Sequence, residues 1–102
     1  MTNYPIRPWR LAIPLVLACA LPACAASGVD LFRTAGCIDC HSFKGQGGGL
    51  GPDLTAVTAR RSASWIARYI KNPRKIDPQA RMPAFENLSY WQRQALTSYL
   101  DS

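Results

Sequence analysis

The stretch CIDCHSFKG, Cys37 to Gly45, holds the residue types best able to do chemistry in this chain of 102 residues. Two thiols three positions apart are followed directly by His41, the one histidine of the sequence. A C-x-x-C pair can serve a redox disulfide or half a zinc site, whereas C-x-x-C-H is the spacing of covalent haem attachment. The rest of the chain decides among them. A thioredoxin-like dithiol needs a βαβ setting, and the sequence holds no alternating stretch long enough for a strand. Zinc needs four ligands, and beyond the N-terminal leader Cys37, Cys40 and His41 have no second pair to complete them. Haem meets the spacing: thiols about one helical turn apart reach the two vinyl groups of one porphyrin, and His41 turns its imidazole under the iron.

A sixth iron position must be filled, left open or given to an outside ligand. A thioether opposite the imidazole raises the reduction potential. Apart from Met1 the only methionine is Met82, in ARMPAF, where Pro83 stiffens the backbone behind it. Met82 is therefore the candidate second ligand.

Three helices must position these groups. The first is expected from about Val29 to Ala35, with Asp30 near its positive end and Gly36 as a stop before the cysteines. A second spans roughly Ser62 to Lys71, where Trp65, Ile66, Tyr69 and Ile70 form an apolar stripe at helical period, and Asn72-Pro73 closes it. The third starts at Ser89, which makes a capping box with Gln92, and runs towards Leu100. Its buried face is read as Ala95, Leu96, Tyr99 and Leu100, with Gln92, Arg93 and Thr97 facing water.

Between the helices lie two long connections, Ser42 to Arg61 and Pro73 to Leu88. Loops of this length in a compact domain are functional or wrapped around something. Five of the seven glycines fall in GQGGGLG, Gly45 to Gly51. The spacing matches neither phosphate-binding pattern, so close packing against a flat ligand is the expected use. The fold class expected is all-α, about three main helices and long loops around one covalently bound haem.

The first quarter stands apart. Arg7 and Arg10 precede LAIPLVLACALPACAA, an apolar run of 16 residues from Leu11 to Ala26, shorter than a membrane span and built like a secretory signal. This divides the chain into a leader, 1–26, and one domain, 27–102. Two readings of the leader stand: a cut near Ala26, or a bacterial lipoprotein leader in which Cys24 or Cys19 carries lipid and tethers the domain to a membrane. Either exports the chain to the periplasm or the membrane surface facing it. A domain of 76 residues is too small to be secure without a metal, disulfide or partner, a shortfall that a haem makes good.

With Cys37-x-x-Cys40-His41, Gly51-Pro52-Asp53-Leu54, Arg81-Met82-Pro83 and a terminal LTSYL, the chain resembles the small monohaem class I cytochromes c over nearly all of Gly28 to Asp101. The resemblance implies that the first and last helices cross at Gly28, Phe32, Ala95 and Tyr99. It implies that the Pro52 carbonyl accepts a hydrogen bond from Nδ1–H of His41, fixing the ring and making it more basic. It also implies that Trp65, with Arg60 and Arg61, lies where the family contacts the haem propionates.

The function expected is single-electron transfer by an iron that keeps both axial ligands, in a respiratory chain. A haem closed by Met82 leaves no open coordination site, so an electron carrier is expected rather than an enzyme. Ten Lys and Arg against six Asp and Glu in the domain point to redox partners with acidic surfaces, steered by Lys44, Arg60, Arg61, Arg68, Lys71, Arg74, Lys75 and Arg81. Nucleic acid is excluded as a partner by the scattered charge, the lack of a binding motif and the leader. Two alternatives remain: a subunit of a membrane oxidoreductase complex, and a haem sensor or peroxidase-like protein in which Met82 stays off the iron.

Overall fold

A computed structural model describes residues 26–102. The leader, with its lipidation candidates Cys19 and Cys24, lies outside the described residues. Helix α1, Gly28–Thr34, begins where Ser27 caps it: its hydroxyl oxygen accepts from the Asp30 amide at 3.2 Å. Gly36, at φ 88°, ends this run and admits α2, the single turn Cys37–Cys40. Two short strands follow, β1 at Ser42–Phe43 and β2 at Gln46–Gly47, paired antiparallel. Lys44 and Gly45 between them both have positive φ, 51° and 84°, as the tightest hairpin turn demands. This hairpin and a 3₁₀ turn at Val57–Ala59 subdivide the first long connection, which the sequence alone leaves irregular.

Helix α3, Ala63–Lys71, is capped by Ser62, whose side chain accepts from the Trp65 amide at 3.1 Å. Asn72 ends it, and Pro73 starts a further short helix, α4, Pro73–Ile76. Proline suits this first position because its missing N–H has no partner there to lose. Helix α5, Tyr90–Leu100, carries the expected capping box: the Gln92 amide donates to Ser89 Oγ at 3.1 Å and the Ser89 amide to Gln92 Oε1 at 2.8 Å. Among the described residues no helix is long and apolar enough to cross a membrane.

The core forms where α1 and α3 pack on α5. Leu31, Phe32, Ile66, Ile70, Leu96 and Leu100 are buried together, joined by Phe43, Val57 and Leu88 from the connections. The α1–α5 crossing is tight at Gly28, where a Cβ would collide with the Ala95 carbonyl oxygen and come within 2.6 Å of Tyr99 Cβ. Beside it the Phe32 and Tyr99 rings sit 5.6 Å apart and those of Phe43 and Tyr99 4.9 Å apart, both tilted. Such pairs add about 0.5–1.5 kcal/mol beyond the area they bury.

Two expectations are corrected. Thr97 faces the core, 2 % exposed, because its hydroxyl donates to the Gln94 carbonyl at 2.9 Å and so is buried without an unsatisfied group. Arg93 is half-buried and donates to the Leu88 carbonyl at 2.6 Å, closing the loop that enters α5 rather than facing water.

Candidate functional site

Helix α2 places Cys37 and Cys40 one turn apart, both half-buried and neither in a disulfide. Burial pushes the Cys37 thiol above its ordinary range; its own backbone hydrogen bond works against this, and negative charge on Asp39 and Cys40 adds to it. His41 leaves the helix in extended conformation, φ −115° and ψ 142°, so its side chain departs from the path of the turn that carries the thiols.

The His41 ring is held on two sides. Its Nδ1 lies 2.7 Å from the Pro52 carbonyl oxygen. A carbonyl can only accept, so the shared proton sits on Nδ1 and the lone pair of the neutral ring is on Nε2. Gly51 lies against the ring face: a Cβ there would come within 2.6 Å of Cε1 and 2.8 Å of Nδ1. The Gly51 amide donates to the Cys40 carbonyl at 2.7 Å and the Gly48 amide to the Ile38 carbonyl at 2.9 Å, tying the glycine loop to α2.

The glycines of that loop also have close neighbours within the chain. Gly47 and Gly48 pack on the backbone of His41 and Asp39, and Gly51 on the imidazole, while Gly45 and Gly49 would meet nothing with an added Cβ. Glycine is needed here so that the chain can fold back on the C-x-x-C-H segment itself.

Beyond Pro52 a second set of bonds secures the strap. Asp53 Oδ1 accepts from Ser42 Oγ at 3.0 Å, Thr55 Oγ1 at 2.9 Å and the Thr55 amide at 3.3 Å. Thr55 Oγ1 in turn accepts from the Lys44 amide at 2.8 Å. The Thr55 hydroxyl above all, then its amide and Ser42, hold the Asp53 carboxyl below the usual carboxylate range. Sequence reasoning missed Ser42 and Thr55, although an aspartate two residues before a threonine in a turn is a recognisable Asx pattern.

Met82 sits in the loop from Asp77 to Ser89 and is half-buried against the core cluster, as are Cys37, Ile38, Leu54, Trp65 and Phe85. Its carbonyl accepts from Arg74 Nη1 at 3.2 Å. The stripe expected on α3 divides: Ile66 and Ile70 enter the core with Ala67, while Trp65 and Tyr69 stack on each other, centroids 5.0 Å apart. The Arg61 guanidinium lies over Trp65, 4.5 Å from its ring centroid, so these two are brought together. Arg60 turns back towards the Ala56 carbonyl instead.

The donor set fits a haem. Two thiols without a disulfide, an imidazole with its lone pair on Nε2 and one thioether are the groups that attachment and ligation need, and the half-buried side chains around them are almost all apolar. Among the described residues no three His, Cys, Asp or Glu side chains gather as a protein-only metal site requires. Residues 25–102 match the family model described as cytochrome c. No curated protein matches the chain.

Proposed function

The chain belongs to the cytochrome c family, and on that premise we propose that it is an exported bacterial monohaem carrier of class I. Cys37 and Cys40 would hold a haem through thioether bonds, and His41, through Nε2, and Met82, through its sulfur, would be the residues that ligate its iron. A haem held there provides a one-electron couple, Fe(III) to Fe(II), for exchange with donor and acceptor proteins. The chain's own residues keep that exchange free of ligand rearrangement. Pro52 fixes the tautomer and plane of His41, Gly51 admits the ring, and the Asp53 strap holds Pro52 in place. Trp65 and Arg61 form an aromatic and cationic edge suited to haem propionates. The role is electron transfer in a periplasmic or membrane-associated respiratory chain.

The observation that carries this reading is the 2.7 Å contact between His41 Nδ1 and the Pro52 carbonyl, beside two thiols on one turn. It supports the reading because a ring held through Nδ1 has Nε2 free to meet an iron. The test uses the full chain, expressed with export and haem attachment. Oxidised protein is expected to show the weak long-wavelength band of methionine-to-iron ligation, to lose it in M82A, and to titrate with a one-electron potential. A parent without that band, binding carbon monoxide readily when reduced, would instead establish the open-site sensor or peroxidase reading. Intact mass decides the leader: haem alone, or haem with acyl groups on a chain starting at Cys19 or Cys24.

A further inference from the structure

Arg74 lies on α4, exposed, where its charge could belong to an ordinary solvated surface. Its guanidinium is instead turned along the following loop. Nη1 donates to the Ala80 carbonyl at 3.1 Å and to the Met82 carbonyl at 3.2 Å. The two acceptors are alternate residues of the segment that carries the only methionine of the domain.

The base from which Arg74 reaches is rigid. Pro73, less than 2 % exposed, plugs α4 into the core, and the Asp77 amide closes the helix on the Pro73 carbonyl at 2.9 Å. The turn after it is closed by the Ala80 amide on the Asp77 carbonyl at 2.9 Å. On the far side of Met82, the Phe85 amide donates to the Ile70 carbonyl at 3.0 Å and ties the loop to α3. Pro83, between these fixed points, offers no N–H and restricts Met82 to extended backbone. Met82 therefore sits between two anchors, and on its N-terminal side the side-chain anchor is Arg74.

We propose that Arg74 is a positioning residue, whose guanidinium holds the Met82 backbone so that the thioether stays committed to the iron against competing ligands. The proposal rests on the assignment of Met82 as an axial ligand. Hydrogen bonds from a charged donor are stronger than neutral ones, and Nη1 carries two hydrogens, one for each carbonyl. Freed from this hold, the loop has more conformations in which the sulfur is off the metal, and an outside ligand competes more easily.

The experiment is equilibrium binding of imidazole to the oxidised holoprotein, followed by loss of the long-wavelength band. R74Q is expected to bind imidazole about tenfold more tightly than the parent, a magnitude set by charge-assisted bonds discounted for solvent exposure. K75Q, which removes the same charge from the neighbouring position, is expected to bind as the parent does. Band intensity before imidazole is added, a signature that a loss of global stability alone would not move, is expected to be lower in R74Q. Parent-like binding in R74Q, or an equal rise in K75Q, overturns the proposal while leaving Met82 as ligand. A parent with no band at all overturns both. If R74Q does not accumulate, R74K carries the test: it is expected to bind imidazole about threefold more tightly than the parent, because a strongly hydrated ammonium on a flexible stem holds the loop less firmly than the guanidinium, and a parent-like value overturns the proposal.

Discussion

The His41 imidazole and the Pro52 carbonyl meet at 2.7 Å across eleven residues of chain, with Gly51 pressed against the ring between them. Because a hydrogen bond on Nδ1 makes Nε2 a stronger donor, with His41 as ligand it would favour ferric over ferrous iron and lower the potential. In G51A the new methyl group would push the ring away from Pro52. The reduction potential is expected to rise by up to about 60 mV, a tenfold change for a one-electron couple, as read by potentiometric titration. An unchanged potential would show that the bond has no influence on the metal.

The crossing of α1 and α5 depends on a missing side chain. In G28A the added Cβ meets the Ala95 carbonyl and Tyr99, neither of which is a flexible tip that can swing aside. Overpacking of this kind costs about 1–3 kcal/mol. Urea unfolding of the holoprotein should show a lower midpoint at constant slope, and a parent-like midpoint would mean that the helices separate without penalty.

Asp53 makes an acid-sensitive contribution to stability. Its folded pKa lies below the unfolded one, owing first to the Thr55 hydroxyl, then to the Thr55 amide and Ser42. The stabilisation is therefore complete above the unfolded value, about 3.9, and is lost as the pH falls through the lower folded value. D53N is expected to melt below the parent at neutral pH, with the gap closing as the parent's carboxyl becomes protonated. Melting curves that stay parallel down to about pH 3 would remove the carboxylate from the account of the strap.

Exposed cations occur from Lys44 to Arg81, with Arg68, Lys71, Arg74 and Lys75 close in sequence across the α3–α4 junction. If they steer acidic partners, the rate of electron transfer to a small acidic redox protein should fall as salt is raised, since the screening length is about 10 Å at 0.1 M and about 3 Å at 1 M. Stopped-flow rates independent of ionic strength would leave these residues as a solvated surface.

Much of the fold could be read from local pattern. Ser89 marks a helix start by its own chemistry, and the α3 stripe gives the helical period, whereas the Ser62 cap shows only in the structure. Thr97 and Arg93 were misread because polarity was equated with exposure. Each has a backbone acceptor nearby, in Gln94 and Leu88, which permits burial that composition argues against. The glycine-rich loop shows a related limit: several glycines announce close packing without saying against what, and Gly47, Gly48 and Gly51 lie against the chain's own C-x-x-C-H segment.

The sequence by itself determined the attachment chemistry, because thiol, thiol and imidazole act through their spacing along a few consecutive residues. It also leaves Met82 as the one thioether of residues 27–102, and so the candidate for a second ligand. Tertiary structure decides which atoms hold those groups. The contacts of Pro52 on His41 and Gly28 on Ala95, which the family resemblance implies and local pattern does not, and that of Arg74 on the Met82 loop form only after the chain has closed on itself. A side chain's partner across such a closure depends on the packing of several helices at once, so no short stretch of sequence specifies it.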